Sequence, residues 1–276
     1  MQLNTFRLGL GTWKMGETPQ RHKEELKAVR YAAEHGNMLL DTAEMYGEGR
    51  SERLIGEAIK GLPRESVFLV SKVYPHNASK AKMRAACQNS LQRMGVDFLD
   101  LYLLHWRGSV PLKETVEAFE ELEQEGLIRA WGVSNFDVSD MEELWRIPAG
   151  QNCAANQVMY HLGSRGIEYD LLPWMHQHGV PLLAYCPLAH SDAYRRSITE
   201  HSVVKEVAEA HGASVFQVML AFIARQPNAI ALPKSASVAH VKHNLESLQL
   251  KLTDEDWQKL DAAFPPPTEK TELDML

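Results

Sequence analysis

The chain is poor in cysteine. Its 276 residues include only Cys87, Cys153 and Cys186, with no Cys-x-x-Cys. That is too few and too scattered for a disulfide framework, and all three read as reduced, structural thiols. Long apolar runs are absent too: no stretch approaches the roughly 18 uninterrupted apolar residues of a membrane span. The opening, MQLNTFRLGLGTW, has no basic segment followed by an apolar one, so no secretory signal is expected and a cytoplasmic location is. Basic charge is in deficit. Lys and Arg number 29 against 36 Asp and Glu, a formal net charge of −7. This speaks against general nucleic-acid binding but leaves room for a local basic pocket. A glycine-rich G-x-G-x-x-G loop is missing as well. Gly9-Leu10-Gly11 has no third glycine and runs into Trp13, which counts against an open doubly wound sheet. There is no internal repeat, low-complexity tract or linker, so a single domain over residues 1–276 is expected.

What is present is alternation. Short apolar runs bounded by turn or polar residues recur at 7–11, 38–41, 67–72, 99–105, 130–134, 154–157, 181–185 and 229–234, as buried parallel strands should. Between them lie amphipathic stretches at helical spacing. These predict helices over 24–34, 52–60, 80–94, 112–124, 139–146, 169–178, 203–211, 238–248 and 254–264, with Ser51, Ser79 and Thr253 as candidate N-caps. Eight strand-then-helix units predict an α/β fold, a single-domain (β/α)8 TIM barrel, and about 250 residues is its usual size. Pro265-Pro266-Pro267 ends the last helix and begins a short polar tail.

In such a barrel the strand C-termini share one mouth. The predicted strands end in Asp41, Lys72, His105, Ser134 with Asn135, Gln157, Tyr185, and Lys234 with Ser235. Nearly every one can move a proton, donate a hydrogen bond or stack. Asp41 and Lys72 each close an apolar strand and each need a partner of opposite charge. An Asp–Lys pair alone is as well explained by structure as by catalysis. Tyr46, in the loop DTAEMYGEG beyond Asp41, changes the balance. A lysine beside it favours the phenolate, so its pKa is expected to fall and make it a usable general acid. An isolated strand-end histidine is more often a satisfied core group, yet here His105 is placed to orient a substrate oxygen. Trp13 and Trp106 would give the pocket an apolar wall, with Tyr160 a further aromatic neighbour. Ser134, Asn135 and Gln157 could bind a carboxamide, and Tyr185 could stack on a planar ring, with Pro187 shaping the loop that follows. Lys234 and Ser235, just ahead of a helix N-terminus, could hold a phosphate.

These pieces resemble the aldo-keto reductase family over nearly the full chain: GLGTW, LLDTAEMYGEGRSERLIGEAI, VFLVSKV, SLQRMGVDFLDLYLLHW, GLIRAWGVSNF, NQVMYH, LLAYCPL and ALPKS. Within the family the sequence is most similar to bacterial reductases of the methylglyoxal reductase type. The resemblance implies a catalytic tetrad of Asp41, Tyr46, Lys72 and His105. It implies reduction of small aldehydes or ketones, 2-oxoaldehydes such as methylglyoxal included, in which Tyr46 protonates the oxygen and a nicotinamide cofactor gives hydride. It also places Gly11, Thr12 and Asp41 along the nicotinamide ribose, and Ser134, Asn135 and Gln157 on the carboxamide. Tyr185 would lie on the ring, Pro187 and Leu188 by the pyrophosphate, and Lys234 and Ser235 at a 2′-phosphate, with Asn244 kept beyond them. NADPH is therefore the expected cofactor, with NADH possible. No metal is implied, and no carboxylate or cysteine set surrounds the pair His240 and His243.

Two features depart from the family pattern. The arginine that often follows P-K-S is His240 here, and the acidic position after it is His243. Histidine is a weaker, pH-dependent phosphate ligand, so discrimination against NADH is expected to be modest. The hairpin that commonly plugs the barrel floor is expected to be shortened, and the short tail suggests an open site of broad specificity. The expected partner is a small carbonyl compound, with no nucleic acid and no membrane, in a monomer or weak homo-oligomer. The resemblance also admits a cofactor-binding subunit of a membrane channel, and a dehydrogenase working in the oxidative direction.

Overall fold

The computed structural model describes residues 3–35 and 38–276. Eight short parallel strands form one sheet in sequence order: β1 (Gly9–Gly11), β2 (Leu39–Asp41), β3 (Phe68–Val73), β4 (Leu101–Leu104), β5 (Trp131–Ser134), β6 (Asn156–Met159), β7 (Leu182–Tyr185) and β8 (Ala229–Leu232). The sheet closes on itself. Leu8 bridges Ala231 and Gly11 bridges Lys234, and the amide of Gly11 donates to Pro233 O at 3.1 Å. All eight predicted strands are there, several trimmed by one or two residues. The last stops at Leu232 because Pro233 has no amide to continue the ladder.

The barrel interior below the mouth is apolar. Leu39, Phe68, Val70, Leu101, Leu103, Leu183, Ile230 and Leu232 form one buried cluster inside it. Each such side chain, fully buried, stabilises by about 1.5–3 kcal/mol. Phe6 plugs the floor, its ring 5.1 Å from that of Phe68 in an edge-on contact. The segment ahead of β1 holds a single 3-10 turn, Leu3–Thr5.

The outer layer comprises α1 (Pro19–His35), α2 (Arg50–Ile59), α3 (Lys80–Met94), α4 (Leu112–Gln124), α5 (Val138–Trp145), α6 (Leu171–His178), α7 (Asp192–Thr199), α8 (Ser202–Ala210), α9 (Val215–Ala224), α10 (Val238–Glu246) and α11 (Asp254–Ala263). Thr253 caps α11 in a full capping box with Asp256. Ser51 does not cap α2. That helix begins one residue earlier, behind Gly49, and Ser51 lies inside its first turn. Ser79 precedes α3 without a side-chain cap bond. Two helices, α7 and α9, were not expected. The sequence of α9, VFQVMLAFIA, is apolar on nearly every face, so it shows no helical period. At Gly56 a Cβ would lie 2.5 Å from Met94 O, so α2 and α3 can approach closely only with glycine there. Among the described residues no single helix is long and apolar enough to cross a membrane.

Candidate active site

Parallel register carries the functional residues to the same end of the barrel. Gly11 pairs with Asp41, Asp41 with Val70, Lys72 with Leu103, and Ser134 with Gln157. Asp41 and Lys72 meet as predicted. The Lys72 Nζ lies 2.9 Å from both Asp41 carboxylate oxygens, 2.8 Å from Thr42 O and 3.2 Å from the Tyr46 hydroxyl. Lys72 is fully buried and Asp41 nearly so. Burial pulls the Lys72 ammonium below the ordinary lysine range, and the Asp41 carboxylate opposes this.

Tyr46 is partly buried and stands edge-on to His105, ring centroids 5.7 Å apart. Its pKa does not fall as expected. Burial pushes the phenol well above its ordinary range, and the Asp41 charge adds to this. Desolvation and the anion thus outweigh the lysine contact. The consequence suits a donor: Tyr46 remains protonated at neutral pH, and Lys72 is placed to stabilise charge as the proton leaves.

His105 is depressed to about 2, chiefly by burial and then by Lys72, so its ring is neutral. Its Nδ1 has no hydrogen-bond partner among the described residues. Trp106 packs against it, centroids 4.8 Å apart, while Trp13 lies half open to solvent. Tyr160 does not join this wall. It is fully buried, donates to Glu168 at 2.7 Å and packs on Phe222, away from the mouth. The chain after β6 turns its ring into the helix layer.

His161 is depressed to about 4, again mainly by burial. The unfolded chain therefore binds protons below about pH 6.5 that the native state refuses, and stability is lost as pH falls. Each buried neutral histidine costs about 1.4 kcal/mol per pH unit over that range. Urea unfolding of wild type should weaken clearly between about pH 7 and 5, and His105→Asn should make the loss shallower by roughly one proton. Equal slopes for the two proteins would show that His105 is not held neutral.

The carboxamide candidates are linked to the tetrad. Gln157 Nε2 donates to Asp41 Oδ1 at 2.8 Å. Asn135 donates to His105 O at 3.1 Å and to Ser134 Oγ at 3.2 Å, and accepts from the Tyr185 hydroxyl at 2.8 Å. Asn135 has φ 59°, a left-handed conformation that asparagine tolerates. Thr12 donates to Asp41 O at 2.8 Å and accepts from Ser51 Oγ at 2.6 Å, so Ser51 braces the first two strand ends. Past β7, Pro187 and Leu188 begin a loop tied down by Arg195, whose Nε donates to Leu188 O at 2.9 Å. Beyond β8, Lys234 is exposed and Ser235 accepts from Asn244 Nδ2 at 2.8 Å. Ser237 caps α10 through the His240 amide, and the His240 side chain is exposed on its first turn. His243 sits one turn further on, partly buried.

Some neighbours of the mouth were not foreseen. Lys234, although its side chain reaches solvent, has its pKa lowered by partial desolvation and then by Arg21, with Lys14 adding to this and Glu25 and Glu17 opposing it. Cys186, at φ 50°, lies close enough to bear on Tyr46 and Tyr185. The tail is not clear of the mouth. Lys270 binds Asp137 and Asp170, and Asp274 accepts from Ser164 at 2.5 Å, near enough for its charge to help raise the Tyr185 phenol after burial. Among the described residues no group of three or more His, Cys, Asp or Glu is placed to hold a metal ion.

A closed barrel with an Asp–Lys–Tyr–His set at its mouth defines a class of enzyme, and comparison identifies it. The aldo/keto reductase family model matches residues 7–264. The chain is 51% identical to the methylglyoxal reductase YeaE of Escherichia coli, covering 98% of this chain and 94% of that one. It is 34% identical to the glyoxal reductase of Bacillus subtilis, over 92% and 87% of the respective chains. The aldo/keto reductase of Klebsiella pneumoniae, solved with NADP and acetate, superposes with a TM-score of 0.95 at 52% identity, covering 98% of this chain and 95% of that one. The chain belongs to the aldo/keto reductase family and is an oxidoreductase.

Proposed function

We propose that the protein reduces small aldehydes and ketones, 2-oxoaldehydes such as methylglyoxal among them, using NADPH, with Tyr46 as proton donor. The observation that carries the reading is the Tyr46 hydroxyl, held 3.2 Å from a buried ammonium and beside a neutral histidine. Support comes from the relatives, two of which are glyoxal and methylglyoxal reductases, and from the NADP bound by the Klebsiella enzyme.

The residues present fit a nicotinamide dinucleotide. Ser134, Asn135 and Gln157, at the adjoining ends of β5 and β6, offer hydroxyl and amide groups, and Asn135 carries the Tyr185 hydroxyl on its amide oxygen. Gly11, Thr12 and Asp41, at the ends of β1 and β2, would border the nicotinamide ribose, and Pro187 and Leu188, after β7, the pyrophosphate. Lys234 and Ser235 lie just ahead of the N-terminus of α10, where amides and a lysine favour a phosphate, and Asn244, from the last turn of that helix, donates to Ser235. When bound, the cofactor supplies the hydride. The chain's own residues do the rest. Trp13 and Trp106 flank the pocket and favour an apolar carbonyl compound over water. His105, neutral, offers a ring N–H to the carbonyl oxygen. Tyr46 gives its proton to that oxygen as negative charge develops there, and Lys72, anchored by Asp41, stabilises the phenolate left behind.

The test is loss of NADPH absorbance on adding methylglyoxal, run beside NADH. Turnover of neither cofactor with any small carbonyl, despite tight NADPH binding, would overturn the reading. The phosphate end has its own test. His240→Arg puts a fixed cation on the first turn of α10. NADPH selectivity over NADH should rise roughly tenfold, the worth of one hydrogen bond to a charged group. An unchanged ratio would place the 2′-phosphate elsewhere.

A further inference from the structure

A second pair of charges lies behind the tetrad, on the far side of the barrel wall. Ser71 precedes Lys72 on β3, and successive strand residues face opposite sides. Lys72 faces the mouth, so Ser71 faces the helices. There its hydroxyl donates to Glu52 Oε1 at 2.7 Å. Glu52, on the first turn of α2, is completely buried. Its Oε2 accepts from the Nε of Arg93 on α3, whose Nη2 donates to Ser90 Oγ at 3.0 Å. The fit is tight: a Cβ at Gly49, the residue ahead of α2, would collide with the Arg93 side chain.

A buried ion pair is weak evidence of stabilisation, because desolvation cancels most of the attraction. The charge on Glu52 therefore needs another account, and Lys72 supplies one. The titratable groups that bear on Lys72 or on its partners come from β2, the Tyr46 loop, β4 and the residue after it, α2, α3 and the residue after β7. Most are uncharged. His105 is depressed to about 2, Cys87 is pushed up to about 12 by burial, Cys186 to about 11, and Tyr46 and Tyr102 are raised. The charges left are Asp41, Glu52 with its partner Arg93, and Glu44, which accepts from the Tyr74 amide at 2.7 Å and from Asn77 at 3.1 Å. The Glu52 field favours the ammonium form of Lys72.

We propose that Glu52, fixed by Ser71 and Arg93, is a positioning residue that keeps the Lys72 ammonium charged and aimed at Tyr46, and so sustains proton donation at alkaline pH. The inference rests on the roles given above to Tyr46 and Lys72. Glu52→Gln preserves the shape and the Ser71 contact, and removes the negative charge that Arg93 pairs with. The alkaline limb of kcat/KM should move down by about one pH unit, the usual effect of losing a nearby opposite charge. The KM for NADPH should not change. Arg93→Met leaves Glu52 unneutralised and should move the limb the other way.

The second readout needs no turnover. The ammonium resonance of Lys72 in isotope-labelled protein, assigned with Lys72→Met, should titrate at lower pH in Glu52→Gln than in wild type. If Glu52→Gln merely melts earlier, with limb and resonance unmoved, Glu52 is structural and the proposal falls. If Arg93→Met does not fold, Glu52→Gln decides alone. If wild type reduces no carbonyl, the functional reading falls while the Lys72 titration still tests this one.

Discussion

Replacing Tyr46 by phenylalanine should cut kcat for carbonyl reduction by about 10³-fold, within the range general acid catalysis supplies. NADPH affinity should stay as it is. The ring, its edge contact with His105 and the cofactor-facing residues all survive the change. Lys72 loses its 3.2 Å contact but keeps both Asp41 oxygens and Thr42 O, so the fold should stand. The pH profile separates this from simple damage. Because burial holds Tyr46 protonated at neutral pH, wild-type activity should be flat there, and His105, already neutral, should add no limb near the usual histidine range. Stopped-flow kinetics with saturating NADPH would show whether the loss lies in the chemical step. A variant retaining a tenth or more of the rate would mean that water or another group delivers the proton.

The barrel was legible because its signals are local. Eight apolar runs at regular spacing can hardly be packed otherwise, and parallel strands put their last residues at one rim. That placed Asp41, Lys72, His105, Ser134 and Gln157 together from sequence alone, and the structure joins them through Gln157 to Asp41 and Asn135 to His105. What escaped depends on direction and environment. Ser51 looks like a cap, but a serine's role follows from where the helix starts, and Gly49 started it earlier. Tyr160 looks like a pocket aromatic until the loop after β6 turns it outward. The Tyr46 phenol moves opposite to expectation because sequence shows its lysine neighbour but not its burial. Glu52 sits within a motif already noted, yet only the fold shows it meeting Arg93 behind β3. The α9 helix hides because a nearly all-apolar sequence shows no helical period, although Ser214 and Gln217 form a capping box that could have marked its start.

The largest effect on stability should come from Lys72→Met. The substitution leaves the Asp41 carboxylate almost entirely buried, with only the Gln157 amide still donating to it among the side-chain contacts described here. Removing one partner of a buried ion pair costs about 3–5 kcal/mol, which lowers Tm by roughly 10 °C in a domain of this size. Activity should fall by about 10³-fold as well, since Tyr46 loses the charge that stabilises its phenolate. The sign of the pH dependence identifies the cause. A lone buried carboxylate has its pKa raised above the unfolded value of about 3.9, so folding then favours the protonated form. The deficit relative to wild type should be small near pH 4 and grow as pH rises, until Asp41 ionises in the folded state. Adding Asp41→Asn removes the uncompensated charge while keeping an oxygen for Gln157. The double variant should recover most of the lost Tm and none of the lost rate. If Lys72→Met proves as stable as wild type at pH 8, the Asp41 charge is being met by another group. If the double variant regains activity instead, the ammonium is not what Tyr46 depends on.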